Sequence, residues 1–184
     1  MFDLQLWSTG RIAGLVLILG VAATFPGLLM FGLRGGHRGG APRSRSHYIL
    51  ERGLIMAGVV LTAIGFVLLA DALQPTAGRS LAISGAAAYF FGGVLIVAAE
   101  ALNLTLGYAQ VYGLVVSYVI IAFLAQAIIG GALLQAGSVA GWIGWATIFW
   151  NIAWLAGLAR FARRDMYFPV LHHVAPLLIG IALL

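Results

Sequence analysis

Six long apolar stretches, separated by short polar interruptions, account for most of this chain. A helix needs about 20 apolar residues to cross the hydrocarbon core of a bilayer, and in lipid a helix satisfies its own backbone hydrogen bonds. The first stretch predicts a helix from Arg11 to Leu33, and Thr24 and Pro26 inside it predict a kink. A loop follows from Arg34 to His47, reading RGGHRGGAPRSRSH, without apolar periodicity. The second helix is expected from Tyr48 to Leu73, with a turn at Gln74–Gly78 around Pro75. The third runs from Arg79 to Leu102 and turns at Asn103–Gly107, and the fourth runs from Tyr108 to Leu134 and turns at Gln135–Val139. The fifth covers Ala140 to Ala162, Arg163–Met166 forms a basic turn, and the sixth runs from Tyr167 to the end. That last stretch is short, so it stands nearly upright or stops within the lipid. The pattern predicts one all-α domain over 1–184, a polytopic integral membrane helix bundle with six transmembrane helices.

Composition agrees with lipid as the solvent. Hydrophobic residues make up 62% of the chain and charged residues 8%, with a mean hydropathy of +1.06. A soluble domain carries about 25% charge. The formal charge of +5 raises the question of nucleic acid, but the distribution of the arginines answers it differently. Arg34, Arg38, Arg43, Arg45, Arg52, Arg160, Arg163 and Arg164 gather around the first and fifth connections, while only Arg11 and Arg79 lie at the other end. Basic loops stay on the cytoplasmic side, so both termini are expected outside. Both basic connections share a side only if an even number of helices separates them, and the pattern supplies four. The basic loop is also short and lacks the interleaved aromatics of a single-strand binder, so no nucleic-acid partner is expected. All ten basic residues are Arg, as in a GC-rich bacterial genome, and the expected location is the bacterial cytoplasmic (inner) membrane. Cysteine is absent, which excludes disulfides, thiolate catalysis and Cys-ligated metal. Asp3 stands where a signal peptide would be basic, so the first stretch reads as a retained helix.

Small residues recur at packing intervals. Gly10 with Gly14, Gly137 with Gly141, and Ala88 with Gly92 form small-xxx-small steps that allow helices to approach closely, within one bundle or between copies. Four tryptophans crowd the fifth helix. Trp142 and Trp145 suit an interfacial belt. Trp150 and Trp154, one turn apart and deeper, pack into the bundle or wall a site for a flat apolar ligand.

Polar side chains inside a membrane are costly and therefore functional suspects. Glu100 and Asn103 share a face of the third helix, and the following turn brings Tyr108 and Gln110 back towards them. Arg52 begins the second helix at the same level, so a Glu100–Arg52 ion pair is expected, with Glu51 as a competing partner. The functional alternative makes Glu100 a proton carrier or general acid, because burial disfavours the charged form of a carboxyl. Gln126 and Asn151 form a second group. They lie roughly 15–18 Å from the turn joining their helices, near the midplane, with Thr147 one turn from Asn151. Amides at equal depth on adjacent helices hydrogen-bond each other or line a polar path.

His172 and His173 lie just inside the basic end of the sixth helix, after Asp165 and Tyr167. Adjacent histidines on a helix point about 100° apart, so together they do not bind one metal. His37 and His47 complete no zinc spacing, and no metal is expected. A tetrapyrrole ligated by His172 or His173 is the alternative to having no cofactor. Arg34, Arg38, Arg43 and Arg45 among glycines suit anionic lipid headgroups or phosphate, though the loop contains no P-loop.

The segments TGRIAGLVLILGVAATFPGLL, GWIGWATIFW and MYFPVLHHVAPLLIGIALL resemble a broad bacterial family of six-helix membrane proteins, catalogued only as a domain of unknown function. The resemblance spans most of the chain and departs from that family in the basic first connection. It implies six helices and no activity. Three functions follow from the residues. The first is a non-enzymatic accessory subunit or apolar-ligand-binding bundle, partnered by lipid, other membrane subunits or copies of itself. The second is a small transporter or channel with a polar path through Glu100, Gln126 and Asn151. The third is a membrane-embedded enzyme using Glu100 as acid or base, with Trp150 and Trp154 walling its pocket.

Overall fold

The computed structural model describes residues 8–33, 44–161 and 169–184. Over these residues the chain is helical. The helices are α1 (Thr9–Leu33), α2 (Arg45–Ala72), α3 (Arg79–Leu106), α4 (Tyr108–Ala136), α5 (Gly141–Phe161) and α6 (Val174–Ala182), with a single 3-10 turn at Pro169–His173 before α6. Five of them are long and apolar enough to cross a membrane; the sixth apolar segment, Leu171–Ala182, is shorter. At 1.5 Å per residue α6 is about 14 Å long, roughly half a hydrocarbon core. Among the described residues the six apolar stretches are five long helices and one short one, the short one being the last, as the pattern predicts. The expected start of the last helix at Tyr167, and Asp165, Arg163 and Arg164 before it, lie outside the described residues.

Local chemistry sets the helix ends. Ser44 caps α2 by accepting a hydrogen bond from the His47 backbone N–H at 3.1 Å, so this helix starts three residues before the expected Tyr48. The α3–α4 connection is a single residue, Gly107, at φ 81°, and the expected Asn103–Gly107 turn is almost entirely helix. A residue with a Cβ is strained in that conformation. Gly137 ends α4 in the left-handed conformation, its N–H donating to the Leu133 carbonyl. Pro26 lies inside the continuous α1.

Short connections make sequential helices antiparallel neighbours. The closest packing joins α1 to α2 and α3 to α4, with α2 against α3 less intimate, and α6 rests against α1. A Cβ on Gly20 would stand 2.7 Å from the Thr62 hydroxyl, and one on Gly58 would overlap Thr24, so α1 and α2 touch backbone to backbone here. The same holds where α6 crosses α1: a Cβ on Gly14 would lie 2.8 Å from the Gly180 carbonyl. Of the small-residue steps read from sequence, only part is used for packing. Gly14 and Gly92 meet neighbouring helices, but Gly10 meets only the Ser8 hydroxyl, and Gly137 and Gly141 have nothing within 4 Å. The core is aromatic and aliphatic, with Phe66 edge-on to Tyr89 at 5.0 Å. Large apolar side chains such as Phe25, Phe91, Trp142 and Phe149 cover the outside.

Candidate functional site

The charged residues of the interior meet between α1, α2 and α3. Arg52 Nη1 donates to Glu100 Oε1 at 2.9 Å, and Arg52 Nε lies 3.2 Å from Glu51 Oε1. Their side chains are almost wholly buried, at 8%, 0% and 6% exposure for Arg52, Glu51 and Glu100. The guanidinium carbon also lies 5.0 Å from the Phe31 ring centre and 5.3 Å from that of Tyr48. Aromatic faces stabilise a cation removed from water. A second tie runs beside it, the Asn103 amide donating to the Tyr48 hydroxyl at 2.6 Å. The pair expected between Glu100 and Arg52 thus forms, and Glu51 adds to it instead of displacing it.

Arg52 and Glu100 face a cavity of about 30 Å3. Phe31, Arg52, Glu100, Tyr108, Tyr118 and His173 are on its wall, and Glu100 Oε2 is buried without a hydrogen-bond partner. A cavity needs about 10–15 Å3 on this measure to admit a water, so the space suits one or two guests of that size. Tyr108 joins Glu100 as the sequence suggests, but Gln110 does not: it is exposed on the surface of α4.

The histidines lie elsewhere than expected. His172 and His173 are buried in the 3-10 turn, not at the basic end of a long helix. The His172 ring stacks on Phe123 at 4.2 Å and on Tyr118 at 5.3 Å. Its carbonyl accepts from Gln126 Nε2 at 2.8 Å, and the Leu171 carbonyl accepts from Trp150 Nε1 at 3.1 Å. Gln126 lies ten residues from the end of α4, about 15 Å along the helix. The turn therefore sits at mid-depth in the bundle. Side-chain donors from α4 and α5 thus reach backbone carbonyls of the turn inside the bundle.

That role redefines three candidates. Gln126 does not pair with Asn151, whose Nδ2 donates to the Thr147 carbonyl of its own helix at 2.7 Å. Trp150 holds the turn, and Trp154 meets it edge-on at 5.9 Å, so neither tryptophan lines the cavity. Gln126 Oε1, Thr147 Oγ1 and Asn151 Oδ1 are buried without hydrogen-bond partners, but these residues do not line the Glu100 cavity. Among the described residues, no group of three His, Asp or Glu side chains could hold a metal ion. His172 is packed between aromatic rings, and His173 is on the wall of the small cavity. Of the basic loop, Arg34, Arg38 and Arg43 lie outside the described residues, as does His37, while Arg45 is exposed in the first turn of α2. Tyr108 and His173, the two titratable groups the sequence offers near Glu100, both line the cavity, but sequence reading missed the turn that carries His173, because it took the last segment as one continuous helix. Pro169, three residues before His172, was the available signal.

No family model, no curated protein and no solved structure matches this chain.

Proposed function

We propose that this chain is a non-enzymatic multi-pass membrane protein whose interior site receives one unit of positive charge, as a proton or a small monovalent cation. The observation that carries the reading is the Glu100 carboxylate beside the cavity. Glu100 Oε2 is buried without a hydrogen-bond partner, and Glu100 is on the cavity wall. An unsatisfied carboxylate oxygen in an apolar interior is expensive. A proton on one carboxyl or a cation in the cavity removes that cost, with Tyr108, Tyr118 and His173 as further polar groups on the wall. The volume of about 30 Å3 fits such a guest and leaves no room for an organic substrate, which disfavours both an interior apolar-ligand site and an enzyme acting on lipid at Glu100.

The wider setting belongs to the same reading. The exposed apolar flanks face lipid, the basic connections lie in the cytoplasm of a bacterial inner membrane, and both termini lie outside. Arg34, Arg38, Arg43 and Arg45 touch anionic headgroups. A role as accessory subunit or self-associating bundle is compatible with this site. A second reading, a small transporter or channel, is favoured by one observation: Gln126, Thr147 and Asn151 each bury a partnerless oxygen apart from the Glu100 cavity.

The test is infrared difference spectroscopy of the carboxyl band in reconstituted protein, taken across pH and across sodium and potassium concentration. A carboxyl signal or a cation-dependent shift should appear in the wild type and vanish in Glu100→Gln. A wild type with neither response overturns the reading. Flux of the responsive ion into liposomes separates the transporter from a protein that only holds the charge.

A further inference from the structure

The groove between α2 and α3 has a polar mouth and an apolar floor. Its upper stretch has a volume of about 420 Å3 and includes Asp71, Gln74, Arg79, Ile83, Ala87 and Phe90. A lower stretch of about 430 Å3 continues from Phe90 towards Ala101. Small residues, Ala63, Ala87, Gly93 and Ala101 among them, line the groove and leave it open. Phe90, 59% exposed, divides the two stretches.

The dimensions fit one leaflet. Eleven residues separate Arg79 from Phe90 on α3, about 16 Å of helix, and half a hydrocarbon core is about 15 Å. The mouth carries charges of both signs. Asp71 and Arg79 are exposed there and form no ion pair with each other, and Gln74 Nε2 holds Asp71 Oδ1 at 2.8 Å. A guanidinium forks onto phosphate oxygens, while a carboxylate accepts hydrogen bonds from an ammonium group.

We propose that this groove binds a zwitterionic phospholipid with a primary-amine headgroup, its phosphate on Arg79, its ammonium on Asp71 and one acyl chain running down to Phe90. A purely anionic headgroup leaves Asp71 facing like charge. A quaternary choline offers it no N–H donor. The proposal rests on the reading of the chain as a membrane protein and is independent of the charge site at Glu100.

The test is native mass spectrometry of the full chain released from vesicles containing equal parts of phosphatidylethanolamine, phosphatidylcholine and phosphatidylglycerol, after a carbonate wash. One phosphatidylethanolamine should be retained with about a tenfold preference over either competitor. Asp71→Asn with Arg79→Gln should abolish the preference, and Ala87→Trp, at an exposed groove position, should abolish retention. Equal retention of phosphatidylglycerol by the wild type, or unchanged selectivity in the double variant, overturns the assignment. A second copy of the chain, present in the wild type and expelled by Ala87→Trp, also overturns it and makes the groove a self-association surface. Loss of the chain in the wash defeats the membrane reading itself, whereas a chain that stays without lipid preference defeats only the lipid site.

Discussion

Arg52 and Glu100 meet at 2.9 Å across α2 and α3, and the contact is buried at the same level as a second carboxylate, Glu51. Buried pairs are expensive to assemble and still more expensive to break, because the survivor stays desolvated. The three members of this triad should consequently respond very differently to substitution.

Arg52→Met removes the guanidinium that contacts both buried carboxylates and should cost about 3–5 kcal/mol of stability. Glu100→Gln keeps an oxygen acceptor for Arg52 and leaves its contact with Glu51 in place, so it should cost less, about 1 kcal/mol. Replacing all three with Gln, Met and Gln should return the protein to within about 2 kcal/mol of wild type. Thermal unfolding in micelles, followed by tryptophan fluorescence, ranks the three. If Arg52→Met were no worse than Glu100→Gln, the ion-pair account of the site would be wrong.

The 3-10 turn depends on two donors from other helices. Gln126→Leu leaves the His172 carbonyl without its side-chain donor, and Trp150→Phe does the same to the Leu171 carbonyl. Each should cost about 0.5–1.5 kcal/mol, the net contribution of one hydrogen bond. The loss is local, since α6 is short and docks mainly on α1. Hydrogen exchange across 174–182 should accelerate in both variants while α2 and α3 stay protected. Uniform acceleration across the bundle, or none anywhere, contradicts the role given to these two side chains.

What the sequence reveals follows from which interactions are local. Apolar runs fix the long helices, since lipid permits few other backbone solutions, and a lone arginine at the level of Glu100 points to its partner. Two features depend on contacts the pattern does not encode. The sixth segment reads as one apolar run, because a break at mid-depth changes hydrogen bonding and not hydropathy; only Pro169 hints at it. The close glycines are the second case. The steps at Gly10, Gly137 and Gly141 have the expected spacing, but the tight crossing uses Gly20 and Gly27 against Gly58 and Gly65, seven residues apart on each helix. Which glycine faces a neighbour depends on helix rotation, and these uniformly apolar helices leave that rotation unspecified.

Glycine substitutions make that difference measurable. Gly58→Val drives a branched side chain into Thr24 and the Gly20 carbonyl, and Gly20→Val meets Thr62 and the Gly58 carbonyl. Backbone atoms cannot move aside cheaply, so each should cost about 1–3 kcal/mol or more. Gly141→Ala and Gly53→Ala have nothing within 4 Å and should be close to neutral. Yield of monodisperse protein and its melting temperature in micelles give the comparison. Sensitivity at Gly141 equal to that at Gly58 would return the packing role to the outer turn and contradict the α1–α2 crossing.

The absence of cysteine makes the orientation directly testable, since any introduced thiol is the only one in the chain. Ala77 lies in the α2–α3 turn and Ser138 in the α4–α5 turn, both exposed, and Ser46 is exposed in the first turn of α2 at the opposite end of that helix. Two helices separate the two turns, so Ala77→Cys and Ser138→Cys must share a side if α3 and α4 both cross the membrane. An impermeant maleimide added to intact cells should label these two and spare Ser46→Cys; permeabilisation should expose the third. Labelling of Ser46→Cys alone in intact cells reverses the orientation and puts the arginine-rich connection outside, against the charge rule. Labelling of Ala77→Cys without Ser138→Cys means that α3 or α4 does not cross, and the five-long-helix arrangement would then have to be redrawn around the helix that fails.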